Sequence, residues 1–420
     1  MKIANLFKGD KAIWAVFLFL CLISIVEVFS ASSTLTYKTQ NYLRPLIYHS
    51  GTILVGVFVA IIILNIPCRY FKLITPVLLF ITYATLLGVL IWGQSINGAN
   101  RVIQLPGFTF QPSEIAKGTM VLATAQILSA MQRPDGSGAD PKAMKYILVI
   151  SVPAVLLILI ENLSTGVLLF GVIYIMMFIG RVPIKQMGQL TGVLVLLAGL
   201  FLAMVFGMGS LDKEGKELEL AEQGTEVVVK TPDKKERSAF ESVTHRFWTW
   251  KNRLTKGSKT KNVSPQDYDV KNNYQVAHAN FAIASSNIIG KGPGNSVERD
   301  YLPQAFSDFI FAIIIEEMGI IGAVAVVLLY VILLFRVGRI AGRCENNFPA
   351  FLIMGLALLL VFQAVINMMV ATDFGIVTGQ PLPLISKGGT STIVNCAYIG
   401  AILSVSRSAK QTISTTTATT

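Results

Sequence analysis

The run Tyr301-Leu-Pro-Gln-Ala-Phe-Ser-Asp308-Phe-Ile-Phe-Ala sets one carboxylate at the mouth of a long apolar segment. Glu316 and Glu317 follow about two helical turns deeper. An ionisable side chain at membrane depth costs several kcal/mol, so each is a functional candidate by default. Here the set is Glu27, Glu114, Lys117, Glu161, Asp308, Glu316 and Glu317. Asp308 reads equally as a helix cap, a common use of Asp, or as a functional carboxylate. Consecutive residues on a helix point to different faces, so Glu316 and Glu317 read as structural, each bonded to a neighbouring helix.

Three further runs carry chemistry. Gly98-Ala99-Asn100-Arg101 precedes Gln111-Pro112-Ser113-Glu114-Ile-Ala-Lys117, where Pro-Ser signals a helix start with Ser as its cap. Glu114 and Lys117 are then i,i+3 neighbours on one face. They either hold the helix end or serve a site, and a buried pair is a costly way to gain stability. Gly290-Lys291-Gly292-Pro293-Gly294-Asn295-Ser296 could bring backbone amides to phosphate or simply turn the chain. Leu382-Pro-Leu-Ile-Ser386-Lys387-Gly388-Gly389-Thr390-Ser391 offers the same pair of readings, donors at a site or a helix cap. His49, His245 and His278 lack i,i+4 pairing, so a His-based metal site is not expected.

The elements that must position these residues are membrane helices. Hydrophobic residues make up 53% of the 420-residue chain and charged ones 14%, against about 25% charged in soluble domains. Mean hydropathy is +0.61. Stretches long enough to cross a bilayer occur near 12–31, 49–66, 73–92, 113–131, 146–161, 164–180, 189–209, 306–336, 349–372 and 390–408. The expected fold is therefore all-α, polytopic, with about ten transmembrane helices. Its parts are 1–209 (helices one to seven), 210–305 (a large extracytoplasmic loop), 306–408 (helices eight to ten) and 409–420 (a Thr-rich tail, expected to be disordered and cytoplasmic). The loop carries 15 basic and 13 acidic residues, and its part from Asp212 to Lys261 reads as an elaborated insert with a β-prone Val227-Val228-Val229.

With both termini inside, fifteen Lys and Arg fall in cytoplasmic segments and four in short outer loops, which is the positive-inside pattern. The net charge of +11 is then a topology signal, and no nucleic-acid partner is expected. Cys21, Cys68, Cys344 and Cys396 lie in or beside apolar segments, which argues against a disulfide framework.

Together the four runs resemble the SEDS family (shape, elongation, division and sporulation), which includes FtsW, RodA and SpoVE. Gly98 to Lys117 is similar to GAxRW…QPSExxK. Gly290 to Gly319 is similar to GxGxGxS…LPExxxDFIFAxxxEExG, and Leu382 to Ser391 to LPFISYGGSS. Val102, Gln304, Phe306, Asn162 and Lys387 depart from the family pattern. The division type is the nearer match. The resemblance implies a peptidoglycan glycosyltransferase that polymerises lipid II into undecaprenyl-linked glycan at the outer face of the cytoplasmic membrane. It also implies work at the septum beside a class B penicillin-binding transpeptidase and other divisome proteins.

In that reaction a sugar hydroxyl attacks an anomeric carbon and expels a diphosphate with inversion. The resemblance gives Asp308 the role of base. It makes Arg101, Glu114, Lys117, Lys291, Gly292, Asn295, Ser296, Ser386, Lys387, Gly388 and Gly389 the substrate-binding set. Arg101 and Lys117 would stabilise the diphosphate, helped by a divalent cation (Mg or Mn) if one is used. A flippase for a lipid-linked sugar competes, because intramembrane charges suit transporters too, but no inverted repeat is evident. A scaffold whose insert recruits division proteins is the third reading.

Overall fold

The structure, a computed structural model, describes residues 8–32, 43–96, 99–105, 108–209, 251, 274–302, 305–375 and 377–418. The insert expected from Asp212 to Lys261 lies outside them except for Lys251. The chain divides into two compact units. One comprises Met1–Pro183, Gln275–Phe374 and Thr378–Thr420; the other is Ile184–Tyr274 with Gly375–Val377.

In the first unit the helices are α1 (Lys11–Ser30), α2 (Leu43–Asn65), α3 (Arg69–Trp92), α4 (Pro112–Ala130), α5 (Lys142–Glu161) and α6 (Leu163–Ile179). The second unit contributes α7 (Ile184–Gly209). The first then resumes with α8 (Tyr274–Ser285), α9 (Ile310–Ala341), α10 (Asn347–Ala371) and α11 (Thr390–Ala418). Local signals set several of these boundaries. Asp10 Oδ1 accepts from the amides of Ala12 (2.9 Å) and Ile13 (3.2 Å), capping α1. Asn162 is extended between α5 and α6 and caps α6 by accepting from Thr165 N at 3.3 Å, so the chain breaks between the spans expected at 146–161 and 164–180. At α4 the cap is Gln111, not Ser113. Pro112 takes the first helical position, where its missing N–H is no loss.

Among the described residues seven helices are long and apolar enough to span a bilayer: α1, α2, α3, α5, α7, α9 and α10. A shorter apolar helix is α6. Expected spans α4 and α11 are helical but more polar. Ser113, Glu114, Lys117, Thr119 and Thr124 of α4, and Ser391, Thr392 and Asn395 of α11, are buried among neighbouring helices and never meet lipid. α10 packs against α4, α6, α9 and α11, while α11 also lies along α2.

Three features depart from the sequence expectation. The segment 94–110 contains a small three-stranded antiparallel sheet, Gln94–Ile96, Ala99–Leu105 and Phe108–Phe110, within a fold that is otherwise helical as expected. α8 adds a helix before the Gly-rich run, and its His278 Nδ1 meets Glu298 Oε2 at 2.6 Å. α11 continues to Ala418 through the tail expected to be disordered, since each added residue of a formed helix gains a hydrogen bond without a new nucleus.

Candidate active site

Asp308 sits two residues before α9, in the turn 305–309. The N-cap is Phe309, with no side-chain cap bond, so the helix-cap reading of Asp308 does not hold. Its carboxylate is half-buried, and Oδ1 accepts from Ser307 Oγ at 2.9 Å. What fixes the segment is its main chain. Asn367 Nδ2 donates to the Asp308 carbonyl at 2.9 Å and to the Gln380 carbonyl at 2.7 Å. Ser386 Oγ donates to Ser307 O (2.6 Å), and Lys387 N donates to Phe306 O (3.0 Å). The Lys387 ammonium lies 5.0 Å over the Phe306 ring, and its partial burial holds it below the ordinary lysine range.

The 380–389 loop that forms this clamp is itself tightly held. Ser386 Oγ accepts from Leu382 N at 2.8 Å, and Tyr330 donates its hydroxyl to the Pro383 carbonyl. Gln380 Nε2 donates to Thr165 Oγ1 at 2.6 Å. Leu384 is buried with φ 66°, a left-handed conformation that costs a non-glycine residue about 1–3 kcal/mol and persists only where surroundings enforce it.

Glu114 and Lys117 form the expected pair, Nζ to Oε1 2.9 Å, with side chains 3% and 0% exposed. Both are enclosed. Lys117 Nζ also donates to Gln363 Oε1 at 2.7 Å, and Gln363 Nε2 donates onward to Pro381 O at 3.0 Å. Glu114 receives Ser391 Oγ at 3.2 Å, and its carbonyl receives the Tyr398 hydroxyl at 2.5 Å. Gln363 and Asn367 are one turn apart on α10. Through them the buried pair and the Asp308 turn rest on one helix face. Sequence reasoning missed both amides, although two polar residues at i,i+4 in an otherwise apolar helix were a usable signal.

The Gly-rich run binds the protein's own carboxylates. Ser296 Oγ donates to Glu316 Oε2 at 2.5 Å, and Val297 N to Oε1 at 3.1 Å. Gly294 N and Ser296 N donate to Glu317 at 3.0 and 3.1 Å. Lys291 Nζ pairs with Glu316 Oε1 at 2.6 Å and also donates to Ser285 Oγ at 2.8 Å. Glu317 further receives the Ser30 hydroxyl of α1, and Arg299 approaches to 3.8 Å. The expectation of separate helical partners is therefore corrected. One wrapped loop serves both glutamates, and among the described residues Ser30 alone reaches them from another helix.

This wrapping is possible because α9 breaks at Gly319 (φ 68°, ψ −170°). Lys291 N and Gly292 N donate to the Glu316 and Glu317 carbonyls (3.0 and 2.8 Å), while Ile320 N and Ile321 N donate to Asn287 O and Ile288 O (both 3.3 Å). The loop is thus spliced into the broken helical ladder. A Cβ on Gly319 would stand 2.3 Å from Ile288 O, and one on Gly290 2.3 Å from Glu317 O. Gly319→Ala is expected to lower stability by about 2–3 kcal/mol or more, since this backbone region is essentially glycine-only. An unchanged thermal unfolding midpoint in detergent would refute the splice.

The remaining expected site residues stand as follows. Asn295 Nδ2 returns to Lys291 O at 2.9 Å. Gly388 and Gly389 (φ 55°) lead into α11, with Ser391 N donating to Gly388 O at 3.1 Å. Arg101 lies on the second strand, and its side chain, like Gly98, falls outside the described residues. Among the described residues no three His, Cys, Asp or Glu side chains converge as a metal cage.

A carboxylate seated by a main-chain clamp, above a buried ion pair and inside a bundle of apolar helices, defines a polytopic membrane protein with a candidate catalytic centre. The chain belongs to the cell cycle protein family of FtsW, RodA and SpoVE, whose sequence model matches residues 10–211 and 244–411. It is 31% identical to the probable peptidoglycan glycosyltransferase FtsW of Halomonas elongata over 93% of this chain and 89% of that one. It is 29% identical to the corresponding protein of Buchnera aphidicola over 92% and 90%. Its fold is similar to a chain from a peptidoglycan synthase complex described as coordinating polymerization and crosslinking (TM-score 0.68, 22% identity, 96% and 99% covered). It is also similar to Thermus thermophilus RodA (TM-score 0.59, 21% identity, 96% and 98% covered).

Proposed function

We propose that this chain is a peptidoglycan glycosyltransferase that polymerises lipid II during septal wall synthesis, with Asp308 as the base. The observation that carries the reading is the seating of Asp308: a half-buried carboxylate whose backbone is pinned at Phe306, Ser307 and its own carbonyl. An acceptor hydroxyl placed against it loses its proton to the carboxylate as its oxygen attacks the anomeric carbon. The bond from that carbon to the diphosphate oxygen breaks, and undecaprenyl diphosphate leaves. The leaving group is already a stable dianion or trianion and needs no strong acid, only cations to meet its charge.

Arg101 and Lys387 are the cations proposed to meet the diphosphate. Lys117, fully buried, is spent on Glu114 and Gln363, so it is proposed to act on the substrate only through the fixed geometry of α4 and α10. Lys291 and Ser296 are proposed to position the 290–302 segment by way of Glu316 and Glu317. The topology proposed has both termini cytoplasmic and the Asp308 turn at the outer face. The partner proposed is a class B penicillin-binding transpeptidase, within a complex of other division proteins.

The test is polymerisation of purified lipid II by the full chain with its transpeptidase present, read as glycan length on a gel. Glycan synthesis is expected. Translocation of lipid II across vesicles with no polymer formed would favour the flippase reading instead.

A further inference from the structure

At the bundle end that carries Lys8, Arg339 and Arg407, a cavity of about 290 Å³ opens between the start of α1, the end of α9 and α11. Its wall includes Asp10, Lys11, Arg336, Arg343 and Ser406. Asp10 is committed twice: it caps α1, and its Oδ2 takes Arg336 at 2.5 Å. That pairing neutralises one cation of three. Lys11 and Arg343 are exposed and, among the described residues, make no ion pair or side-chain hydrogen bond. The cavity therefore keeps two unspent positive charges. Gly9 (φ 100°) lets the entering chain lie on α11, where a Cβ would come within 3.0 Å of Leu403 O, and this close approach shapes the floor.

Directly along the same helices the surface turns apolar and outward. Leu18 and Phe19 of α1 are 40% and 57% exposed, and Ile332 and Phe335 of α9 are 41% and 63% exposed. A cationic cavity at the end of two helices whose sides expose apolar residues has the polarity of one lipid molecule, phosphate at the charged end and acyl chains along the helices. We propose that this cavity binds the headgroup of an anionic phospholipid, with its phosphodiester between Lys11 and Arg343 and its chains along α1 and α9. The site is separate from the Asp308 turn and does not depend on the reaction proposed there.

The test is native mass spectrometry of the full chain taken from vesicles of phosphatidylglycerol and phosphatidylcholine, comparing wild type, K11Q/R343Q and the charge-keeping K11R/R343K. A basic residue near the membrane surface is worth about 5-fold in anionic-lipid affinity, so the double loss should cut phosphatidylglycerol retention by about 30-fold. K11R/R343K should keep it. Both residues are exposed, so the folded state should survive, which the unchanged thermal midpoint of K11Q/R343Q will register. Equal retention of the two lipids by wild type, or an unchanged preference in K11Q/R343Q, overturns the proposal. So does displacement by millimolar inorganic phosphate without any lipid preference, which would assign the cavity to a free phosphate.

Discussion

Asp308→Asn is expected to reduce lipid II polymerisation by about 10²–10⁴-fold, the usual contribution of a positioned general base. The substitution is nearly isosteric and keeps an acceptor for Ser307 Oγ. The clamp is indifferent to it, because Asn367, Ser386 and Lys387 grip carbonyls rather than the carboxylate. The thermal midpoint should therefore stay near wild type while the rate collapses. That separation is what distinguishes a base from a structural anchor. A variant that still makes glycan at the wild-type rate would remove Asp308 from the chemistry.

Lys117→Met should be the most destabilising change at the centre of the bundle. It leaves Glu114 enclosed with, among the described residues, the Ser391 hydroxyl at 3.2 Å as the one hydrogen-bond donor to its carboxylate, and strips Gln363 of its donor. Removing one partner of a buried pair costs about 3–5 kcal/mol, whereas replacing both is often close to neutral. The double variant Glu114→Gln/Lys117→Met is accordingly expected to recover most of the lost stability, as measured by unfolding in detergent. Its polymerisation rate then carries the second answer. Recovery of activity with the fold assigns the pair a purely architectural task. A folded but inactive double variant gives the Lys117 charge a direct part in meeting the diphosphate.

The readable part of this molecule was whatever is encoded by spacing along one helix. Glu114 and Lys117 were legible as neighbours from i,i+3 alone, and the break at Glu161-Asn162 followed from a polar pair between apolar runs. Their partners were not legible, because Gln363, Ser391 and Tyr398 come from helices hundreds of residues away and only packing brings them in. The start of α9 lies four residues later than the span expected from 306, for the same reason: Phe306 and Phe309 flank Ser307 and Asp308 and run into the apolar segment, yet Lys387, Ser386 and Asn367 hold the four as a turn. The glycines from Gly290 to Gly294 offered two readings, backbone donors to a phosphate or a simple turn of the chain. What sequence could not say is that the anions they meet are the chain's own Glu316 and Glu317. The strands at 94–110 were hidden by short length and by the absence of clear alternation.

The Asp308 turn is gripped by two neighbouring side chains, Asn367 and Ser386, whereas Lys387 and Phe306 join it through backbone atoms, so the clamp fixes the first two identities and not the last two. Phe306 and Lys387, which both depart from the family pattern, face one another across 5.0 Å. Each side chain is the other's partner in that cation–ring contact, so changing one alone leaves the other without it. Grafting either member alone into a relative should be worse tolerated than grafting both.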